Sequence, residues 1–79
     1  MSSGAAGGDP TLTPADHRII QHLAAGADYP ALIASNTGLH IPLVERRCRR
    51  LETLGLIEPA SSEVIYRLTD CGRRAVESA

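Results

Sequence analysis

Residues 32–57 constrain the fold more than any other part of the chain; their sequence is LIASNTGLHIPLVERRCRRLETLGLI. Gly38 separates two helical patterns, and glycine adopts the left-handed backbone of a tight turn without steric cost. Before the turn, Ala34 provides the small side chain that two steeply crossing helices need where their backbones approach. After the turn, apolar side chains recur at spacings of four, three and three residues, as on one face of a helix: Val44, Cys48, Leu51 and Leu54. The stretch therefore predicts two helices joined by a tight turn.

The second of these helices is rich in arginine. Seven of the eight basic residues follow position 45, and all eight are arginine. Four of them lie within five positions: Arg46, Arg47, Arg49 and Arg50. The formal net charge of the chain is only −1, so the distribution of charge matters more than its sum. A helix-turn-helix with a cationic second helix is typical of proteins that place this helix in the major groove of DNA.

The rest of the chain predicts elements that pack around this pair of helices. Thr13 and Pro14 are the N-cap and first residue of an earlier helix. Its buried side would hold Ile19, Ile20 and Leu23, and its polar residues would face water: Asp16, His17, Arg18, Gln21 and His22. A very short strand is expected at Asp28 and Tyr29, and Pro30 would begin a helix that ends near Asn36.

Residues after position 55 alternate between β-rich and turn-forming segments. Residues 56–58 and 64–68 predict two strands, with a turn around residues 59–62. Thr69 would cap a short last helix whose inner side carries Gly72, Ala75 and Val76. The predicted fold is therefore α+β: a winged helix-turn-helix with a three-helix core, a β-hairpin wing and a short C-terminal helix. Residues 1–11 are Gly-rich with little to bury, so we expect a disordered tail before one domain at residues 12–79.

Three segments resemble a known family: LIASNTGL, RRCRRLETLGLIE and YRLTDCGRRAV. They are similar to the winged helix-turn-helix regulators of bacteria and archaea, over residues 12–77. The likeness is strongest to small haloarchaeal phage-repressor-like proteins, whose first helix also begins with a Thr-Pro-Ala-Asp segment. The resemblance implies sequence-specific binding of double-stranded DNA and transcriptional regulation, with repression favoured.

The expected DNA contacts lie mainly on the helix over about residues 41–54. His40, Ile41 and Leu43 would lie nearest the bases, where apolar side chains can press on thymine methyl groups. The arginines would bind phosphates, joined by one in the wing: Arg46, Arg47, Arg49, Arg50 and Arg67. A homodimer on a palindromic site would raise the specificity of so few base contacts.

A second hypothesis is a winged-helix module that docks another protein. The start of the arginine-rich helix is mostly apolar at residues 41–43, and the wing tip has Glu58 and Glu63 on its flanks but no basic residue. An acidic wing is a poor partner for phosphate, so these two features could instead form a protein-contact surface.

Other function classes find little support in the residues. We expect no enzyme, because no nucleophile–base set or phosphate-binding loop is present. We expect no metal or cofactor, since neither Cys48 nor Cys71 has a neighbour at ligand spacing, and Cys48 fits as a small core residue. No small-molecule effector is evident, because the chain has no room for a separate effector domain. Without a membrane-spanning run or a signal peptide, a cytoplasmic location is expected.

Overall fold

A computed structural model describes residues 12–60 and 65–78, so the predicted tail lies outside the described residues. The elements follow the predicted order of three helices, a hairpin and a last helix. They are α1 (Pro14–Leu23), α2 (Pro30–Thr37), α3 (Ile41–Thr53), β1 (Ile57–Pro59), β2 (Tyr66–Leu68) and α4 (Asp70–Ser78). The strands pair as an antiparallel hairpin. The predicted winged helix-turn-helix is confirmed.

Local sequence sets the ends of the helices as predicted. The Thr13 hydroxyl accepts a hydrogen bond from the Asp16 amide at 3.1 Å, and the Asp16 carboxylate accepts one from the Thr13 amide at 2.9 Å. This reciprocal capping box satisfies two amides that the first turn of α1 would leave without partners. Gly38, with φ of 77°, ends α2 and donates its amide proton to the Ala34 carbonyl. The turn between α2 and α3 thus depends on a glycine at position 38.

The core is aliphatic, and every layer of the fold contributes to it. The chain contains no Phe or Trp. The buried apolar residues are Ile19, Ile20 and Leu23 of α1, Ile33 and Ala34 of α2, Val44, Cys48 and Leu51 of α3, and Leu56, Ile57 and Leu68 around the hairpin. Complete burial of one such aliphatic side chain contributes roughly 1.5–3 kcal/mol. Because α3 buries one face completely, its opposite face is the one left in solvent.

Asp16 was predicted to face water, and this prediction is wrong. Its side chain has no exposed surface, and both of its carboxylate oxygens accept hydrogen bonds at 2.7 Å from the Arg47 guanidinium of α3. Burial by itself would raise the pKa of Asp16. The hydrogen bonds from Arg47 and Thr13 outweigh burial and hold this pKa below its usual value. The pair therefore ties the first turn of α1 to the middle of α3.

His22 was also predicted to be a solvated surface residue, and it has a defined partner instead. Its Nε2 atom lies 2.7 Å from Oδ2 of Asp28. The hydrogen bond from His22 is the main reason that the pKa of Asp28 lies below its usual value. Asp28 also exchanges two backbone hydrogen bonds of 3.0 Å with Tyr66, so the short strand predicted at this position is a single β-bridge to the hairpin.

The first strand of the hairpin is shifted by one residue from the predicted position. Pro59 was assigned to the turn, but it belongs to β1 and pairs with Tyr66. Proline is tolerated at a strand end in a two-stranded sheet, where no further strand requires its missing amide proton. The tip at residues 61–64 lies outside the described residues.

The last helix packs with its backbone close to the hairpin. As predicted, Thr69 caps α4: its hydroxyl accepts from the Gly72 amide at 3.0 Å and donates to the Gly55 carbonyl at 2.6 Å. A Cβ atom on Gly72 would lie 2.0 Å from the carbonyl oxygen of Leu56 and 2.8 Å from a methyl group of Leu68. A close approach of two backbones therefore explains the glycine in α4.

We predict that Gly72→Ala destabilises the domain, because a backbone carbonyl cannot move aside as a flexible side chain can. The expected loss in free energy of unfolding is about 1–3 kcal/mol, as for other overpacked sites. Chemical denaturation monitored by circular dichroism measures it. Cys71→Ala is the matched control: it changes an exposed residue of the same helix and should lie within about 0.5 kcal/mol of wild type. Equal stability of Gly72→Ala and Cys71→Ala would contradict this packing.

We predict that Arg47→Ala costs about 3 kcal/mol at pH 7, because it leaves a buried carboxylate without its cation. In the wild type, the contribution of Asp16 is complete above its ordinary pKa of 3.8 and is lost as the pH falls through its lower folded-state pKa. In the variant, burial raises that pKa, so protonation relieves the cost and the deficit relative to wild type shrinks towards pH 3.

Urea denaturation between about pH 3 and pH 7 measures both effects. Arg46→Ala, which removes an exposed arginine from the same helix, is the control and should change stability by less than about 0.5 kcal/mol. A deficit for Arg47→Ala that does not depend on pH would show that the pair with Asp16 is not its cause.

Candidate nucleic-acid interface

The solvent side of α3 is a continuous exposed surface along the helix. Pro42, Glu45, Arg46 and Arg49 are all exposed and follow each other at spacings of three, one and three residues. Pro42, Arg46 and Arg49 lie opposite the buried Val44, Cys48 and Leu51, and Glu45 lies at the edge of this side, about a quarter turn from the buried residues. We call these four exposed residues the outer stripe. Since α3 is the second helix of a helix-turn-helix, the outer stripe is the part that such a fold presents to the major groove.

Three of the predicted arginines are available on the solvent side of α3. Arg46, Arg49 and Arg50 are exposed, and within residues 12–60 and 65–78 none of them lies within ion-pair distance of an acidic side chain. Glu45, four residues before Arg49, does not pair with it there. Because guanidinium groups without a protein partner keep all their donors, these three can bind phosphate oxygens or base edges.

Arg47 is directed elsewhere, although the sequence analysis placed it with the other three. Its guanidinium is held by both oxygens of Asp16, and these hydrogen bonds raise the pKa of Arg47 above its usual value. Its charge is compensated inside the protein, so we do not include it in the candidate interface. One feature of the sequence could have indicated this: Arg47 lies three residues after Val44 and four before Leu51, on the edge of the buried stripe.

The beginning of α3 is apolar and only partly covered. His40 is the N-cap residue; it is exposed, and its side chain makes no capping hydrogen bond. Ile41 exposes 45% of its surface, whereas Leu43 is half-buried and offers less to a ligand. Two more large apolar side chains are exposed near α2, Tyr29 and Leu32.

The wing contributes less positive charge than its arginine suggests. Arg67 and Glu58 face each other across the strands, and the Arg67 Nε donates to a Glu58 carboxylate oxygen at 2.7 Å. Both side chains are about half exposed, at 55% and 44%. A pair this exposed is worth no more than about 1 kcal/mol, so Arg67 can exchange Glu58 for a phosphate at little cost. Glu63 of the predicted acidic wing lies outside the described residues.

The structure gives Cys48 the core role that the sequence predicted. It is fully buried, and burial is the main cause that raises the pKa of its thiol to about 12. A thiol with this pKa remains protonated at neutral pH and is a poor nucleophile or metal ligand. Across residues 12–60 and 65–78, no group of three or more His, Cys, Asp and Glu side chains is placed to hold a metal ion. None of the described helices is long and apolar enough to cross a membrane.

This domain is similar to parts of several solved structures. The transcriptional repressor CouR, solved with p-coumaroyl-CoA bound, is 30% identical with a TM-score of 0.76, covering 86% of this chain and 50% of that one. A mutant of Lactococcus lactis ZitR in complex with DNA is 22% identical with a TM-score of 0.78, covering 94% and 54%. The chain thus spans about half the length of these two proteins.

An enzyme also shares this fold in part. The O-methyltransferase NcsB1 of neocarzinostatin biosynthesis is 32% identical with a TM-score of 0.68, but the match covers only 21% of that chain. No curated protein matches the sequence. The model of the family described as winged helix-turn-helix phage repressor matches residues 10–79, which is nearly all of the chain. The chain therefore belongs to the winged helix-turn-helix phage repressor family.

Proposed function

We propose that this domain is a transcriptional repressor that binds double-stranded DNA with α3 in the major groove. The observation that carries the proposal is the set of three exposed arginines, Arg46, Arg49 and Arg50, on the second helix of a helix-turn-helix. Within residues 12–60 and 65–78, none of them has an acidic partner. Membership of a phage repressor family supports it, as does the sharing of this fold with a ZitR variant solved in complex with DNA.

In this proposal the two ends of α3 have different tasks. Arg46, Arg49 and Arg50 bind phosphates and fix the position of the domain on the duplex. His40 and Ile41, at the exposed start of the helix, lie nearest the bases, with Leu43 contributing a smaller apolar surface. Arg67 adds a phosphate contact from the wing.

The buried pair of Asp16 and Arg47 supports this arrangement indirectly. It connects α1 to the side of α3 that faces the core, and so it restrains the rotation of α3 about its axis. Because phosphate contacts depend on a fixed spacing of cations, a helix held in one rotation binds with less loss of conformational entropy. Arg47 thus acts as a positioning residue that does not itself touch DNA.

The number of protein copies on the DNA site follows from the modest number of base contacts that one domain can make. We infer that two copies bind a palindromic site, since a second set of contacts one helical turn away raises specificity.

We also infer that the protein is not an enzyme and that it acts in the cytoplasm, where its DNA is. The absence of a small-molecule effector stays a prediction, although CouR was solved with p-coumaroyl-CoA bound.

The alternative is the protein-docking module, whose contact surface would be residues 41–43 and the acidic wing. The exposed apolar side chains of Tyr29, Leu32 and Ile41 are the structural features that it would use. The family match supports DNA binding over this alternative. The two hypotheses also predict a different dependence of binding affinity on salt concentration. Phosphate binding releases counterions and weakens as ionic strength rises, whereas apolar docking does not.

We predict that replacing Arg46, Arg49 and Arg50 together by alanine weakens binding to every DNA sequence. Each lost phosphate contact lowers the slope of log affinity against log salt by about 0.9, so the triple variant should lose a slope of about 3. Fluorescence anisotropy with labelled random-sequence duplexes at several salt concentrations measures both quantities.

The matched control replaces Arg73 and Arg74, two exposed arginines of α4, by alanine. It removes two charges from the same domain and should leave most of the affinity and of the salt slope in place. If the α3 triple variant bound DNA as tightly as wild type, α3 would not be the DNA-binding element, and the docking hypothesis would become the better one.

A further inference from the structure

The outer stripe contains an acidic residue that the proposed phosphate contacts do not explain. Glu45 is exposed and lies beside Pro42 and Arg46, at the edge of the solvent side of α3. Glu45 and Glu52 offset two of the three positive charges of the exposed α3 arginines. The exposed side chains of α3 therefore carry a net charge of +1. A carboxylate at this position opposes binding to phosphates, so its presence on a DNA-facing helix requires a physical reason.

No protein partner in the described part of the chain neutralises Glu45. Neither Arg46 nor Arg49 is within ion-pair distance of it, and the arginine that is paired on α3, Arg47, is bound to Asp16 on the opposite side. When α3 enters a groove, water is removed from Glu45 while Arg46 and Arg49 move towards phosphates. A carboxylate that loses water without gaining a donor costs several kcal/mol. The DNA itself must therefore supply the donor.

The major groove offers few suitable donors. Guanine presents two acceptors there, thymine an acceptor and a methyl group, and adenine an acceptor beside its amino group. Cytosine presents its N4 amino group alone, and a carboxylate is the side chain that accepts from it. Glu45 lies one turn inside α3, in the N-terminal part of the helix that contacts base edges in this motif. At guanine and thymine the carboxylate would face only acceptors, and at adenine it would face the N7 acceptor beside the amino group.

We infer that Glu45 is a specificity-determining residue that selects a cytosine at one position of the DNA site. This inference rests on the proposed function, and it names a feature of the ligand that the arginines cannot read. Arg46, Arg49 and Arg50 provide affinity for any duplex, and Glu45 penalises duplexes that lack the cytosine. Discrimination comes from an unfavourable contact with the wrong sequence as well as a favourable one with the right sequence.

The experiment selects binding sites from a pool of random duplexes with three proteins: wild type, Glu45→Gln and Glu52→Gln. The Glu52 variant removes the same charge from an exposed position in the last turn of the same helix and is the matched control. Wild type and Glu52→Gln should enrich one motif with an invariant cytosine. Glu45→Gln should keep the rest of that motif and replace the cytosine by adenine, because glutamine both donates to and accepts from adenine.

Anisotropy titrations on the selected duplexes measure how much affinity is lost when the cytosine pair is replaced. Replacing the cytosine pair should weaken wild-type binding roughly tenfold or more, as a lost base contact does, and should leave Glu45→Ala binding nearly unchanged. If Glu45→Gln enriched the same motif as wild type at every position, the inference would be overturned and DNA binding would stand. If wild type enriched no motif and bound random duplexes without salt dependence, the proposed function would fail, and this inference with it.

Discussion

The buried pair between Asp16 and Arg47 is the interaction on which the arrangement of the functional surface depends. Two hydrogen bonds of 2.7 Å join a carboxylate without any exposed surface to a guanidinium on α3. The same carboxylate closes the capping box of α1 through the Thr13 amide. One side chain therefore completes the start of one helix and fixes the rotation of another. Such a pair contributes little net stability, but it costs much to break, so it acts mainly on the geometry of the domain.

This pair also sorts the arginines of α3 into two classes. All four have the same chemistry and lie within five positions, yet among residues 12–60 and 65–78 only Arg47 has an acidic partner. The other three remain available because the described part of the chain offers them no carboxylate within reach. The charge available to DNA on α3 is thus smaller than the sequence suggests. Glu45 and Glu52 reduce it further, which in the proposed complex with DNA would favour selectivity over general affinity.

The wing and the last helix are held by contacts of a different kind. The β-bridge between Asp28 and Tyr66 attaches the hairpin to the segment before α2, and the hydrogen bond to His22 anchors Asp28 in turn. On the other side of the hairpin, Gly72 lets α4 approach the backbone of Leu56. Hydrogen bonds and a close backbone contact thus position the hairpin together with the burial of Ile57 and Leu68 in the core.

The order of the elements and the buried stripes could be predicted from the sequence alone. Helix ends are marked by residues with strong local preferences, such as Thr13 and Gly38, and helix faces are marked by apolar periodicity. These properties depend on neighbours within about four positions, so no tertiary structure is needed to recognise them. The arginine-rich helix and its place in a helix-turn-helix were determined in the same way.

Only the tertiary structure decided the partners of the polar residues. Asp16 was expected in solvent and Arg47 on DNA, and they instead bind each other across 31 positions of sequence. His22 likewise binds Asp28, because the turn after α1 brings the chain back to the end of that helix. Amphipathic periodicity shows which side of a helix is apolar, but it does not show which polar group meets a complementary charge. That pairing is set by the packing of α1 on α3, because the energy of a charge depends on what surrounds it in three dimensions.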